Sequence, residues 1–493
     1  MNIKKLFAIV LTLTLVLAIF AGCSNDKKDG DADTTDPSAS ASTTEKPDPS
    51  KAPTLLWWNI GNAPATDVLK AGMEAISDYT SVEYGVKLDL KQMSWDDFDA
   101  KSANIITAGD PFDIMFINNT NYSRFVSMDA FADIKDVLAN DAPDLKKFNP
   151  QELWDAVTIN GGIYAVPTFK DSSMTQQYAW DNEVVEKYNI DYKNVKNMSQ
   201  LDPIFKEIKA AEPDSTPLML YKDGYNDIFF GYDDLGCGLE FLGVKAEDKD
   251  RKLVVILEQP DVQEKLTYLH NWYEAGIINS DAAVLGDSPK GPMFVTAQGW
   301  EGAEIGWQDL YGIEKLVINQ VAGPYYTIAS IQGSLNAVSK NSSYITESVK
   351  FLQACNLDSK LRDMLAYGVE GVNFEYTDDS KTSIEKLNDS WTMSAYSQAT
   401  FFTMASIAPA TTAQWDAVKA LNASATVSSC IGYSIDTSSV SDKIAQCNAI
   451  YEDYKYELKT GTTDHKEVVP AMIAEMKEVG LDDIMANIQD QLK

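Results

Sequence analysis

The sequence predicts an α/β protein of at least two lobes, and three observations carry that expectation. Its 493 residues exceed what one ordinary core supports. Hydrophobic residues make up 45% and charged residues 23%, the balance of a globular protein with enough apolar material for a large core. The first folded stretch alternates strand, helix, strand, helix, strand, an order that builds a parallel sheet with helices on its faces.

Thr54 to Asn59, a short apolar run closed by Asn59-Ile60-Gly61-Asn62, reads as a buried strand followed by a polar loop. Apolar residues at helical spacing from Val68 to Ile76 predict a helix over 68–79. Val86 to Leu90 alternates as a strand. Ser94 ahead of Trp95-Asp96-Asp97-Phe98 reads as an N-cap with an acidic first turn, opening a helix to about Thr107. Ala108-Gly109-Asp110-Pro111 stops it, and Phe112 to Ile117 is the third strand.

In such sheets ligands sit beyond the carboxyl ends of the strands. Here those ends are Trp58-Asn59-Ile60-Gly61-Asn62 and Asn118-Asn119-Thr120-Asn121-Tyr122. Both are rich in amides, which hydrogen-bond to hydroxyls, and in aromatics, which offer apolar faces. Asn and Gly are turn formers as well, so single residues in these loops read either way.

Further along, Asn160 to Pro167 is a turn entering a strand, and Tyr178-Ala179-Trp180-Asp181 precedes a helix from about Asn182. Helices are expected over 201–211, over 259–275 closed by Gly276, and from Thr346 to Ala354. Strands are expected over 217–221 and 291–297, the latter ending in Gln298-Gly299-Trp300. From Ser439 to Lys493 the chain reads as helical, broken at Gly461 and Gly480.

The N-terminus carries an export signal. Lys4 and Lys5 precede an apolar stretch from Leu6 to Phe20, and Ala21-Gly22-Cys23 follows. The stretch is too short to span a bilayer, which takes about 20 apolar residues. Small residues directly before Cys23 resemble the bacterial lipoprotein box, with Phe20 where that box prefers leucine. The resemblance implies removal of 1–22 and acylation of Cys23. Residues 24–53 hold no large apolar side chain, so the segment 23–53 is expected to be a disordered tether. Asp29-Gly30-Asp31-Ala32-Asp33 lacks the glycine and glutamate spacing of a calcium loop.

The net charge of −32 repels phosphate backbones and argues against nucleic-acid binding. Cys237, Cys355, Cys430 and Cys447 form no CxxC pair, and no Cys/His cluster exists, so no metal or other cofactor is expected. Export permits disulfides, with Cys430 and Cys447 the first candidates, while buried free thiols are the alternative. His270 and His465 are the two imidazoles. His270 reads as a packing residue on an aromatic helix face, and His465 as an exposed helix start. Neither a GxSxG elbow nor a GxxxxGK[ST] loop is present, which argues against an enzyme.

At this level of detail the chain resembles the extracellular solute-binding proteins of ABC importers. Ile105 to Ile114 resembles their helix, small-Gly, Asp-strand signature, and Gly161 to Pro167 resembles the segment entering the first interlobe crossing. Gln332 to Ser339 resembles the returning strand of the sugar-binding branch. Ile444 to Leu492 resembles the end of a lipoprotein subgroup named only as a domain of unknown function. The resemblance implies a periplasmic-binding-protein-like type II fold, two α/β lobes hinged about a cleft. It places lobe one at 54–172 plus 299–355 and lobe two at 173–298 plus 356–493. It also implies a lipid-anchored protein on the outer face of the cell membrane, with a small solute, in all expectation a carbohydrate, and ABC permease subunits as partners.

On that implied fold, the cleft candidates are aromatics and amides at element ends. They are Trp58, Asn59 and Asn119 from lobe one, Trp180 and Trp300 beside the crossings, and Tyr221, Glu370, Trp391 and Tyr396. Tyr367 to Asn373 resembles a segment of the subgroup that approaches the cleft. Two other functions share these features: a secreted glycoside hydrolase, which needs two facing carboxylates, and a ligand sensor using the same clamp.

Overall fold

The computed structural model describes residues 46–226, 228–433 and 435–493. The signal segment, Cys23 and the tether up to residue 45 lie outside the described residues. The last part of the expected tether is ordered: Lys46 pairs with Glu83 at 2.8 Å, and a short turn spans Pro49–Lys51 under the cap of Asp48. Proline limits the entropy lost on ordering so short a segment.

The body has two α/β lobes, each with its own sheet and core. In the first sheet the strand order is Lys87–Met93, Thr54–Ile60, Ile114–Ile117, Leu335–Val338, Ala165–Pro167. The first three strands are parallel, joined by helices Thr66–Glu83 and Phe98–Ala108, and Leu335–Val338 runs antiparallel to its neighbours. The expected strand–helix alternation is therefore present. Ser94, however, caps a turn instead of the helix: its hydroxyl bonds Asp97, and the helix opens at Phe98.

The second sheet orders Phe294–Ala297, Met174–Asp181, Leu316–Tyr326 and Thr426–Val427. Helices Met198–Ala211 and Pro260–Glu274 pack on its core, together with the C-terminal helices Ser441–Glu452, His465–Val479 and Leu481–Gln491. Gly461 and Gly480 end their helices at positive φ, 74° and 113°, where a side chain would be strained. The strand expected at 217–221 reduces to a single bridge between Leu218 and Ile278. His465 does begin a helix, yet it is buried rather than exposed, with its ring 3.3 Å from the Thr267 hydroxyl.

The lobe boundaries need correction on two counts. Leu316–Tyr326 pairs with Met174–Asp181, so the chain leaves the second lobe after Tyr326, not at Gly299. Leu361, Leu365, Trp391, Met393 and Ala399 pack in the first core, so residues past 356 still belong beside lobe one. A small third sheet, of Phe374–Tyr376, Ser383–Lys386 and Ser406–Ile407, builds its own cluster with Trp415 and Val418.

Side chains bind the crossings into one hinge. Thr168 donates its amide to the Ser334 carbonyl at 3.0 Å, and the two hydroxyls meet at 3.0 Å. Asn422 accepts from both the amide and hydroxyl of Ser173 and donates to the Lys170 carbonyl. The buried Asp233 carboxylate accepts the Ile328 amide at the start of the second crossing.

Candidate functional site

Residues 388–400 form an irregular segment that would be free to wander were its backbone polar groups not satisfied. Asn59 and Ser397 exchange hydrogen bonds, the hydroxyl donating to Asn59 Oδ1 at 2.6 Å and Asn59 Nδ2 donating to the Ser397 carbonyl at 3.2 Å. Asn336 Nδ2 donates to the carbonyls of Ser397 and Gln398, and Trp57 Nε1 fixes that amide from behind. The Ser334 hydroxyl donates to the Tyr396 carbonyl at 2.8 Å. The fully buried Arg362 spans the rest, its guanidinium donating to the carbonyls of Ala395 and Thr400 and to Gln398 Oε1.

Burial lowers Arg362 to about 10, against the opposing pull of Tyr367, Cys355 and Asp363. The adjacent Asp363 is pushed up to about 6, chiefly by burial, while the Ala405 amide and the Tyr376 hydroxyl donate to it.

This frame holds one wall of a pocket of about 500 Å³, into which Trp300, Trp391 and Tyr396 converge. Tyr367, Phe401 and Trp415 complete an aromatic lining, and Asn373, Lys386, Asn388, Asp389 and Thr392 supply polar groups. Trp391 is seated by donation of its Nε1 to the Leu365 carbonyl at 3.2 Å, with its ring over Gly72, where a Cβ would overlap it. Trp300 leans on Phe401 and Trp415 at centroid distances of 6.3 and 6.1 Å. At the rim, Tyr396 lies nearly parallel to Trp95, and Lys170 stands 6.0 Å from its ring.

The other candidates fall elsewhere. Trp58 borders a separate hollow of about 610 Å³ between helix Thr66–Glu83 and strand Lys87–Met93, with Lys101 over its ring at 4.6 Å. Asn59 is fully buried and acts on the pocket only through Ser397. Trp180 is a core residue packed on Phe205 and Phe294, not a cleft residue, because its strand is covered on that side. Glu370 is exposed and paired with Lys381 at 3.2 Å. Tyr221 is half-buried outside the pocket, and burial followed by Asp223 raises its phenol. Asn119 is half-buried, with its carbonyl close to Gly236 of the second lobe.

Sequence reading missed Trp95, Phe401 and Trp415. Trp95 was legible, since it stands two residues past the carboxyl end of the strand Lys87–Met93. The other two carried no pattern that separates them from core aromatics. Cys237, Cys355, Cys430 and Cys447 are free buried thiols, so the candidate Cys430–Cys447 disulfide is not formed. Among the described residues no group of three or more His, Cys, Asp or Glu could hold a metal ion.

Flat aromatic faces beside amides suit a ligand with apolar ring faces and hydroxyl edges. The comparisons agree in kind. A family described as bacterial extracellular solute-binding protein matches residues 62–290, and a domain of unknown function, DUF3502, matches 429–493. A carbohydrate ABC transporter substrate-binding protein of Streptococcus pneumoniae is 26% identical over 437 residues, covering 87% of this chain and 88% of that protein.

Among solved structures, an N-glycan transport solute binding protein from Streptococcus pneumoniae with Man1GlcNAc superposes with a TM-score of 0.76 at 24% identity, covering 89% of this chain and 98% of that one. An extracellular solute-binding protein from Bifidobacterium longum subsp. infantis gives 0.61 at 13%, covering 90% and 98%. The model of bacterial extracellular solute-binding proteins over residues 62–290 and the DUF3502 model over 429–493 thus follow one another along a two-lobed α/β body that resembles solved solute-binding proteins in fold.

Proposed function

We propose that the protein is the lipid-anchored, extracellular binding component of an ABC importer and that its solute is a sugar or short oligosaccharide held in the Trp300–Trp391–Tyr396 pocket. The observation that carries this reading is the convergence of Trp300 with Trp391 and Tyr396, from two distant segments of the chain, on a volume of about 500 Å³ edged by amides. A volume of that size suits one to three pyranose rings. The pneumococcal relative is named for carbohydrate, and the similar structure holds Man1GlcNAc, which supports the same class of ligand.

Both relatives are binding proteins. Asp389 is the one carboxylate among the described lining residues, whereas glycoside hydrolysis works between a facing pair. No helix among the described residues is long and apolar enough to cross a membrane; the lipoprotein-box resemblance at Cys23 supports the anchor.

The test uses residues 24–493, a form without the acylated Cys23, in a thermal-shift and calorimetric screen against glycans and peptides. A bound sugar raises the midpoint in proportion to RT ln(1 + [L]/Kd). Stabilisation by peptides alone, or release of new reducing ends from an oligosaccharide, overturns the reading. Cys23→Ala is expected to release the protein into the medium, and deletion of the gene to abolish uptake of the labelled solute.

A further inference from the structure

We infer that residues 299–312 form a ligand-operated flap, in which the Trp300 indole N–H, sealed and unpaired in this conformation, is turned onto a hydrogen-bond acceptor of the bound solute. The inference rests on the pocket assignment above and adds a moving part to it. Trp300 Nε1 is buried with no hydrogen-bond partner among the described residues, although its ring lines the pocket. A buried donor left unmade is a standing cost of the conformation that hides it. The nitrogen lies beneath the turn at Gly302, about 4.0 Å from where a Cβ would sit. A solute therefore reaches it only if that turn shifts.

The turn is built to shift. Gly299 is anchored: its carbonyl accepts from the Thr175 hydroxyl and from Gln177 Nε2 at 3.2 Å. It must be glycine, because a Cβ would lie 2.6 Å from the Trp307 ring. Three residues on, Gly302 holds φ at 109°, open to glycine and strained for other residues. The helix that follows, Glu304–Tyr311, has no fully buried residue and leaves Ile305 37% and Leu310 53% exposed. Trp307 and Tyr311 pack only in part against Ala179, Ile313 and Leu316. Gly312, at φ 67°, closes the segment ahead of the buried Ile313. An element held by so little buried surface opens at small cost.

The test exchanges Trp300 for β-(3-benzothienyl)alanine, which keeps the ring shape and removes the donor. Chitobiose, cellobiose, maltotriose and mannotriose serve as probes. The expected result is an unchanged or raised midpoint for the free protein, about tenfold weaker binding of whichever probe binds, and slowed amide exchange across 299–312 in the native protein on adding that probe. Binding that leaves both the exchange of 299–312 and the affinity of the isostere variant unaltered overturns the flap alone. If none of the four sugars binds, the carbohydrate reading falls and the flap falls with it.

Discussion

Tyr396 and Trp95 lie with their rings nearly parallel, 11° between planes and 6.2 Å between centroids. Trp95 stands two residues past the first-lobe strand Lys87–Met93, is 51% exposed, and offers its face beside Tyr396 at the pocket rim. Trp95→Ala is expected to change the unfolding midpoint by only a degree or two, since little buried surface is lost. Sugar affinity is expected to fall about fivefold, the worth of one aromatic stack at about 1 kcal/mol. Calorimetric titration beside a melting curve checks both halves, and a loss of stability with intact affinity refutes the assignment.

How much of this was legible in the sequence depends on the range over which each signal acts. The alternation of the first three strands and two helices is local and could be read directly. So could the C-terminal helices ended by Gly461 and Gly480, where backbone strain excludes other residues. The lobe boundary at Gly299 was misplaced because pairing of Leu316–Tyr326 with Met174–Asp181 is a contact between distant segments with no local signature. Trp180 and Trp300 looked alike as tryptophans just after the two crossings; burial between Phe205 and Phe294 separates them, and burial is tertiary. Asn59 was singled out as an amide for ligand hydroxyls, and in the fold it bonds Ser397 instead, since an amide bonds a neighbouring backbone as readily as a hydroxyl group.

Arg362 spans Ala395, Gln398 and Thr400 with one planar guanidinium. Lysine carries a single ammonium on a flexible stem and cannot meet three acceptors so spaced. Arg362→Lys is expected to lower stability by about 2–4 kcal/mol, because buried carbonyls lose their donors. Sugar affinity is expected to drop with it as Tyr396 loses its fixed position. Urea denaturation gives the first quantity and titration below the transition gives the second.

Asp363 ties the pH dependence to the same region. Its folded value of about 6 lies above the ordinary 3.8, so the folded state binds the proton more tightly than the unfolded chain. The stabilisation this gives is complete below about pH 4 and is lost as pH rises through about 6. Relative to Asp363→Asn, the native protein is expected to lose up to about 3 kcal/mol between those limits. Unfolding free energies of both proteins from pH 4 to 7.5 test this, and parallel curves would falsify it.

The four cysteines are buried, and burial raises the thiols of Cys237 and Cys430 to about 12 and that of Cys447 to about 11. Thiolate is the reactive form, so these groups are inert in the folded protein. In residues 24–493, a thiol reagent such as DTNB is expected to find no reactive thiol before denaturation and four after it. Two thiols after denaturation without reductant would reveal a disulfide.

Gly72 offers the sharpest separation of packing from binding. It lies on the buried face of helix Thr66–Glu83, and a Cβ there would overlap the Trp391 ring. In a helix, alanine is intrinsically favoured over glycine by about 1 kcal/mol, so a freely accommodated change would stabilise the protein. Overpacking costs about 1–3 kcal/mol and, at this position, pushes Trp391 toward the pocket it lines. Gly72→Ala is therefore expected to lower the unfolding midpoint and weaken sugar binding together, whereas alanine at the exposed Lys70 of the same helix should do neither. A stabilised variant with native affinity would mean that Trp391 does not depend on Gly72 for its place in the wall.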